Sequence, residues 1–354
     1  MTYREDTNRK IMQKIAMIKD NLPHYAQDFL VSKENSKEKS TVLQYGYDLE
    51  KFLYFMIDTE KSAAQETADV KLSEINKVRP KDIDEYMNYL TEYARQGRVY
   101  HNGEAAKHRK LASLSAFYHY LITNDLVEKD PVVKVEAPKI RQKTIITLDD
   151  AQIAKLFKVI RSNHGFKGAA LQRHIKAKYR DEAIMMFLLG TGVRISELVG
   201  LNLNDIDLDK GMAKVTRKGG NEDIVYFGDD VKESLIRYLE GDKDKEGSRA
   251  SFEPKGSGKD ALFVSRRHNR YAVRSIQTLV EKYARMAFGE NNQISPHKMR
   301  STFGTALYKD TGDIELVSKT LGHKNILMAY EKYVKFPEEK KKMAAKRSVI
   351  RMNI

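Results

Sequence analysis

The residues of this sequence best suited to chemistry are cationic and lie far apart in the second half of the chain. Arg194 follows a Gly-Thr-Gly break that ends an apolar stretch, and Lys218 stands beside a pair of glycines. His297 and Arg300 occur in PHKMR, His323 occurs in LGH, and a tyrosine follows shortly after. Two arginines, a lysine and two histidines without a matching set of carboxylates predict a pocket for an anion.

The chemistry that suits this set is transfer of a phosphodiester to a phenol. Guanidinium groups stay charged and bind two oxygens at once, so Arg194 and Arg300 suit the non-bridging oxygens. The histidines can donate to the same oxygens or move protons near neutral pH. Lys218 can protonate a leaving alkoxide, and a tyrosine can attack phosphorus and keep the phosphate as an ester. Because the ester stores the bond energy, no ATP is needed.

The elements around the first candidates are predicted from periodicity and turn residues. The apolar residues 183–189 predict a buried helix that ends just before Arg194, and Glu197 lies on the same face as Arg194. Strand patterns at residues 212–216 and 223–227 flank KGGN, which predicts a β-hairpin with the lysine at its tip.

The elements around the later candidates are predicted from helix start signals. Ser295 and Pro296 are typical of an N-cap and a first helical residue, so the following histidine and arginine, three apart, project together. Asn325 predicts the start of a last amphipathic helix that carries Tyr330 and Tyr333.

The first half of the chain is predicted to be helical, with a further amphipathic helix over residues 82–94. The stretch 104–125 alternates basic and apolar faces, so the basic residues at its start are either DNA contacts or a solvated face. The basic residues 137–143 read as a linker, which predicts domains over 1–140 and 141–354. The candidate DNA-binding residues are Lys107, Arg109 and Lys110.

Composition limits the class of protein. The 354 residues are 41% hydrophobic and 32% charged, with a net charge of +14 that indicates a polyanionic partner such as nucleic acid. There are no cysteines, which excludes disulfides, zinc–thiolate sites and thiol catalysis. No stretch approaches the roughly 20 apolar residues of a membrane span, and the charged first residues do not resemble a signal peptide. We therefore expect a cytoplasmic protein with no membrane partner.

Four motifs, in order, resemble the tyrosine recombinases: TGVRISELVGL, VTRKGG, SPHKMRSTFGTALY and LGHKN followed by a tyrosine. The first half, including LSAFYHYLITNDLVEKDP, resembles the helical core-binding domain of that family. The hairpin motif and LPHYAQDFL are most similar to single-recombinase Xer proteins of the XerS type. Many members have a histidine after the second arginine, where this chain has Ser301.

The resemblance implies a mainly α fold with a small antiparallel β-hairpin or sheet. It implies a SAM-like core-binding domain over 1–140 and an α+β catalytic domain over 141–354, whose basic tail docks on a neighbouring subunit. Two DNA duplexes with inverted-repeat sites would be cut and rejoined by a homodimer that becomes a homotetramer. The reaction would pass through a Holliday junction and a 3′-phosphotyrosine, with no metal or cofactor. The catalytic residues implied are Arg194, Lys218, His297, Arg300, His323 and Tyr333, with Glu197 in support.

The sequence leaves three alternatives open: the nucleophile, the class of function and the biological role. The commonest family spacing places the tyrosine nine residues after His323, which falls on Lys332; Tyr333 at ten is the favoured nucleophile and Tyr330 at seven the alternative. A cleavage-deficient DNA-binding protein of the same fold and a type IB topoisomerase-like enzyme are the alternative functions. Chromosome dimer resolution and mobile-element integration or excision are equally compatible with the sequence.

Overall fold

The protein divides into two compact units, Met1–Lys143 and Thr144–Ile354. The computed structural model describes residues 3–95, 97–140, 146–241, 247–323 and 325–334. The predicted basic C-terminal tail and residues 141–143 at the end of the predicted linker lie outside these residues. No helix in the described segments is both long enough and apolar enough to cross a membrane.

The first unit is built from helices around one apolar core. Helix α3 contributes much of that core, because Leu49, Phe52, Leu53 and Met56 recur at helical spacing and are all buried. The helices are α1 (Tyr3–Asp20), α2 (His24–Glu34), α3 (Lys39–Asp58), α4 (Leu72–Ile75), α5 (Pro80–Tyr89) and α6 (Glu104–Thr123).

A β-hairpin stands where the sequence predicted the end of a helix. Helix α5 ends at Tyr89, and strands β1 (Glu92–Arg95) and β2 (Arg98–His101) pair antiparallel. The prediction of a helix over 82–94 was therefore wrong at its C-terminal end. The strands carry little period-2 signal, since only Tyr93 of β1 is buried and β2 is exposed throughout.

The second unit combines helices with one small sheet. Its helices are α7 (Asp150–Arg161), α8 (Gly168–Ile175), α9 (Lys178–Thr191), α10 (Ile195–Gly200), α11 (Asp229–Glu240), α12 (Val273–Phe288), α13 (Pro296–Thr311), α14 (Ile314–Thr320) and α15 (Ile326–Ala329). Helix α9 is the predicted buried helix, and it ends at Gly192 in the left-handed conformation (φ 62°). A π-helical turn, Tyr330–Val334, follows α15 directly.

The sheet of the second unit contains the predicted hairpin. Strands β4 (Met212–Thr216) and β5 (Glu222–Tyr226) pair antiparallel, and β3 (Ile206–Asp207) adds a short third strand beside β4. Outside these strands, isolated antiparallel bridges join Asn202 to Ala261 and Val264 to Arg270. The prediction of a mainly α protein with small antiparallel sheets is confirmed.

Candidate active site

The site is organised around the turn that ends α14. Gly322 has φ 61°, and the N–H groups of Gly322 and His323 donate to Lys319 O and Ser318 O at 2.9 Å each. This is the hydrogen-bond pattern of a helix that closes on a left-handed glycine. The remaining carbonyls of the last turn have no partner within the helix, so they are acceptors for cations.

Three consecutive carbonyl groups of this turn each accept a hydrogen bond from a different arginine: Thr320 O from Arg217, Leu321 O from Arg300 and Gly322 O from Arg194. The turn therefore fixes three guanidinium groups from three other parts of the second unit side by side.

Arg194 is fixed at the start of α10 by Glu197. The buried Glu197 carboxylate accepts from the Arg194 backbone N–H at 2.8 Å and from Nη1 at 2.7 Å. The guanidinium also donates from Nη2 to Gly322 O at 3.2 Å, and the side chain is 30% exposed. Part of a charged, fixed guanidinium thus faces solvent, where it can bind an anion.

Arg300 lies deeper than Arg194. It is 5% exposed, and its Nη1 donates to Gly192 O at 2.6 Å while Nη2 donates to Leu321 O. Burial, followed by the charge of Arg194, lowers the pKa of Arg300 to about 10. The guanidinium is still charged at pH 7, because the pH remains well below that pKa.

Tyr333 packs into the same site on the π-helical turn. Its side chain is buried, its ring stacks on His323 with centroids 6.2 Å apart, and burial raises the pKa of its phenol to about 12. Within the described residues its hydroxyl has no hydrogen-bond partner. A methyl group on Gly304 of α13 would lie 2.7 Å from Tyr333 Cζ, so glycine is required there for the ring to fit.

Positive charge accumulates around Tyr333. Lys332 lies with its Nζ 5.3 Å from the Tyr333 ring centroid, and burial followed by the charge of Arg300 lowers its pKa to about 8. Burial and neighbouring cations, beginning with Arg300, lower the pKa of His323 to about 4, so its ring is neutral at pH 7. The pKa of His297 is lowered by burial and by Lys332. An anion would relieve this repulsion, because opposite charge favours the protonated forms.

Lys218 stands apart from the other candidates. It is exposed at the tip of the β4–β5 hairpin, and no hydrogen bond or ion pair of its side chain occurs among the residues that the structure describes. Its neighbour Arg217 reaches the site instead, donating to Glu197 Oε2 at 3.0 Å. The structure therefore brings Arg194, Arg300, His323 and Tyr333 together directly and, within the described residues, connects Lys218 to them through its neighbour Arg217.

Two cationic residues of the site, Arg217 and Lys332, were not predicted from the sequence. Only Arg217 lies in a sequence pattern that could have identified it. Along β4, Ala213 and Val215 are buried, whereas Lys214 and Thr216 are exposed. Because side chains alternate between the two faces of a strand, the next residue, Arg217, is expected on the buried face, where the structure places it. Lys332 had no comparable signal, because its position depends on the π-helical turn.

The three predicted DNA contacts on α6 already have protein partners. Lys107 pairs with Glu104 at 3.4 Å, and Arg109 pairs with the buried carboxylate of Asp48. Lys110 is 7% exposed and donates to Asn102. A role for these side chains in DNA binding stays a prediction. The burial of Lys110 makes it the least suited of the three to a phosphate.

Comparison with known proteins agrees with this geometry. Residues 147–339 match the model of the phage integrase family. The chain is also 30% identical over 317 residues to tyrosine recombinase XerC of Caldanaerobacter subterraneus, covering 86% of this chain and 81% of that protein. The chain belongs to the phage integrase family of tyrosine recombinases.

Other tyrosine recombinases show the same relationship. Tyrosine recombinase XerS of Streptococcus equi subsp. equi is 30% identical over 343 residues, which cover 88% of this chain and 92% of that protein. The crystal structure of the XerH site-specific recombinase in a post-cleavage complex shares the fold, with a TM-score of 0.62 at 18% identity. That match covers 86% of this chain and 79% of the XerH chain. The expected family, including its Xer type, is confirmed.

Replacing Gly304 with alanine is expected to slow DNA cleavage by this recombinase. The added methyl group would displace the Tyr333 ring, and a displacement of about 1 Å can cost about 100-fold in rate. Covalent protein–DNA adduct would be measured over time on gels. Gly228→Ala is the matched control, because its methyl group meets nothing within 4 Å, and it should leave the rate unchanged. Equal rates for the two variants would show that Tyr333 does not need its present position.

Proposed function

We propose that this chain is a site-specific recombinase that cuts and rejoins two DNA duplexes through a 3′-phosphotyrosine and a Holliday junction. The observation that carries the proposal is a buried tyrosine whose hydroxyl has no hydrogen-bond partner among the described residues, beside two fixed arginines. A phenol in that setting is available to a ligand, and the ligand that suits the arginines is a phosphodiester.

Each residue of the site has a part in cleavage. Tyr333 Oη attacks phosphorus and forms the new P–O bond, while the bond from phosphorus to the 5′ oxygen breaks and its electron pair goes to that oxygen. Lys218 gives that oxygen a proton, and the phenol proton passes to a histidine of the site or to water.

The charge that develops on the non-bridging oxygens is stabilised by fixed donors. Arg194 and Arg300 bind these oxygens as charged groups, and the neutral rings of His297 and His323 donate hydrogen bonds. Glu197 keeps Arg194 in place and touches no reacting atom. Rejoining is the reverse reaction, in which a 5′ hydroxyl attacks the phosphotyrosine.

Double-stranded DNA with an inverted-repeat site is the proposed partner. The net charge of +14 favours a polyanionic partner. The phosphates of a DNA duplex bound by both units would neutralise part of that charge. We assign DNA binding to the unit Met1–Lys143 and cleavage to Thr144–Ile354. Two protomers on an inverted repeat form a symmetric dimer, and two such dimers form the tetramer that exchanges strands.

A plasmid assay distinguishes this proposal from the two alternative functions, a topoisomerase-like enzyme and a DNA-binding protein without cleavage. Genomic fragments retained by the protein would supply the target site, and two copies of it would be placed in direct repeat on a supercoiled plasmid. We expect two smaller circles and a Holliday junction intermediate. Relaxed plasmid without recombinants would indicate a topoisomerase-like enzyme. Retention without any cleavage would indicate a binding protein, and either result would overturn the proposal.

A further inference from the structure

Arg217 is a buried arginine at the end of β4, immediately before Lys218. It is 9% exposed, and its Nε donates to Asp223 Oδ2 on β5 at 2.9 Å. Its Nη1 donates to Glu197 Oε2 at 3.0 Å, and its Nη2 donates to Thr320 O at 2.9 Å. Each arm of this guanidinium thus bonds to a different element: the hairpin, α10 and the turn that ends α14.

The fit around Arg217 is tight on the side of that turn. A Cβ on Gly322 would lie 2.9 Å from Arg217 Nε, so the turn and the guanidinium are in direct contact. Glu197 is shared, because its second oxygen bonds Arg217 and its first bonds Arg194. Glu197, already fixed by Arg194 and by the start of α10, is therefore a rigid anchor point for the hairpin.

The backbone of Arg217 also closes the turn that carries Lys218. Its N–H donates to Asn221 O at 2.7 Å, and its carbonyl accepts from Gly220 N at 3.0 Å. Gly219 follows Lys218 with φ 98°, which only glycine adopts readily at the third position of such a turn. Lys218 is thus the first residue beyond a fixed anchor, on a short turn of defined shape.

We propose that Arg217 is a positioning residue for Lys218. By fixing the hairpin to Glu197 and to the turn before His323, it holds the lysine where its Nζ can protonate the 5′ oxygen that leaves the phosphate. The proposal rests on the recombinase function argued above and adds a residue to it. Arg217 touches no reacting atom, and its effect on the reaction passes through Lys218.

The test compares two DNA substrates that differ in the need for an acid. In one, the scissile phosphate has its ordinary 5′ oxygen; in the other, sulfur replaces that bridging oxygen. A thiolate leaves without being protonated, because the pKa of a thiol is about 8.5. Loss of the acid, or of its position, should therefore slow cleavage of the oxygen substrate only.

The expected results are specific. Lys218→Ala should slow cleavage of the oxygen substrate by about 100- to 10,000-fold, the usual contribution of an acid. Arg217→Met, which keeps much of the side-chain length, should slow it by about 10- to 100-fold. On the sulfur substrate both variants should cleave within about threefold of the unsubstituted protein, since no acid is needed there.

Other outcomes would separate the two proposals. If sulfur rescues Lys218→Ala but not Arg217→Met, Arg217 acts on the fold or on the phosphate, and the positioning role is wrong while the recombinase proposal stands. If sulfur rescues neither variant, Lys218 is not the acid, and both its assigned role and that of Arg217 are wrong.

A second pair of variants covers the case in which Arg217→Met does not fold. Asp223 is a partner of Arg217 on strand β5, and its side chain is 43% exposed. Asp223→Ala should slow the oxygen substrate by about 3- to 10-fold, the scale of one hydrogen bond. The sulfur substrate should restore the rate. The matched control is Glu222→Ala, which removes the adjacent carboxylate, paired with Lys214 rather than with Arg217, and should change neither rate. A defect in Asp223→Ala that sulfur leaves in place would overturn the positioning role.

Discussion

Replacing Tyr333 with phenylalanine is expected to abolish covalent protein–DNA adducts. The rate of adduct formation should fall by about a million-fold, the scale on which enzymes respond to loss of a covalent nucleophile. DNA binding should persist. Stability should also persist, because the phenylalanine ring still fits over Gly304 and the lost hydroxyl has no partner in the described residues.

A nicked suicide substrate measures this effect: after cleavage the short fragment that carries the 5′ hydroxyl dissociates, and the adduct is trapped. Tyr330→Phe is the matched control, because Tyr330 belongs to the same π-helical turn and is 48% exposed. The control should form adduct at the rate of the unsubstituted protein. If adduct persists in Tyr333→Phe and disappears in Tyr330→Phe, the nucleophile is Tyr330 and the assignment of Tyr333 is wrong.

Replacing Arg300 with lysine is expected to lower adduct formation by about 100- to 1,000-fold, the usual effect of removing one fixed donor from a transition state. Lysine keeps a positive charge but cannot donate to Gly192 O, Leu321 O and a phosphate oxygen with one planar group. One buried carbonyl left without its donor would also cost about 1 to 3 kcal/mol of unfolding free energy.

The stability effect requires its own control. Arg180 is an equally buried arginine, which donates to Asp181 and Val264 O rather than to groups of the site. Arg180→Lys should lower the melting temperature while leaving adduct formation, measured well below that temperature, within about threefold of the unsubstituted protein. An equal loss of cleavage in both variants would attribute the Arg300 effect to folding alone.

The local elements of the site could be predicted from sequence because their signals are local. The β4–β5 hairpin follows from alternation around a glycine pair, and the start of α13 follows from Ser295 and Pro296. Asn325 caps α15 through its side chain, as predicted. The way in which these elements meet could not be predicted, because it depends on hydrogen bonds between distant residues. Arg194 and Gly322 are 128 positions apart.

The position of the tyrosine shows where periodicity alone fails. The predicted last helix is only Ile326–Ala329 before the π-helical turn begins. A π-helical turn contains more residues than an α-helical one. It therefore accommodates a tyrosine ten residues after His323 and leaves Lys332, at nine, against the Tyr333 ring. A helical wheel with 3.6 residues per turn cannot place these two side chains correctly.

In the first unit, strands β1 and β2 were not predicted because their sequence lacks a clear alternation of apolar and polar residues. Strands β1 and β2 pair through four residues each, yet β2 is exposed along its whole length. An exposed strand has no buried face to impose alternation on its sequence. Its residues therefore gave no reason to end the helix at Tyr89.

In the proposed reaction, a DNA phosphate becomes an ester of one particular tyrosine. Adduct trapped on a nicked substrate would be digested with nuclease and protease, and the peptide that retains a nucleotide would be sequenced by mass spectrometry. We expect a single modified residue, Tyr333, joined to a 3′ phosphate. A nucleotide on Tyr330 or on a serine, or a 5′ phosphate linkage, would contradict it.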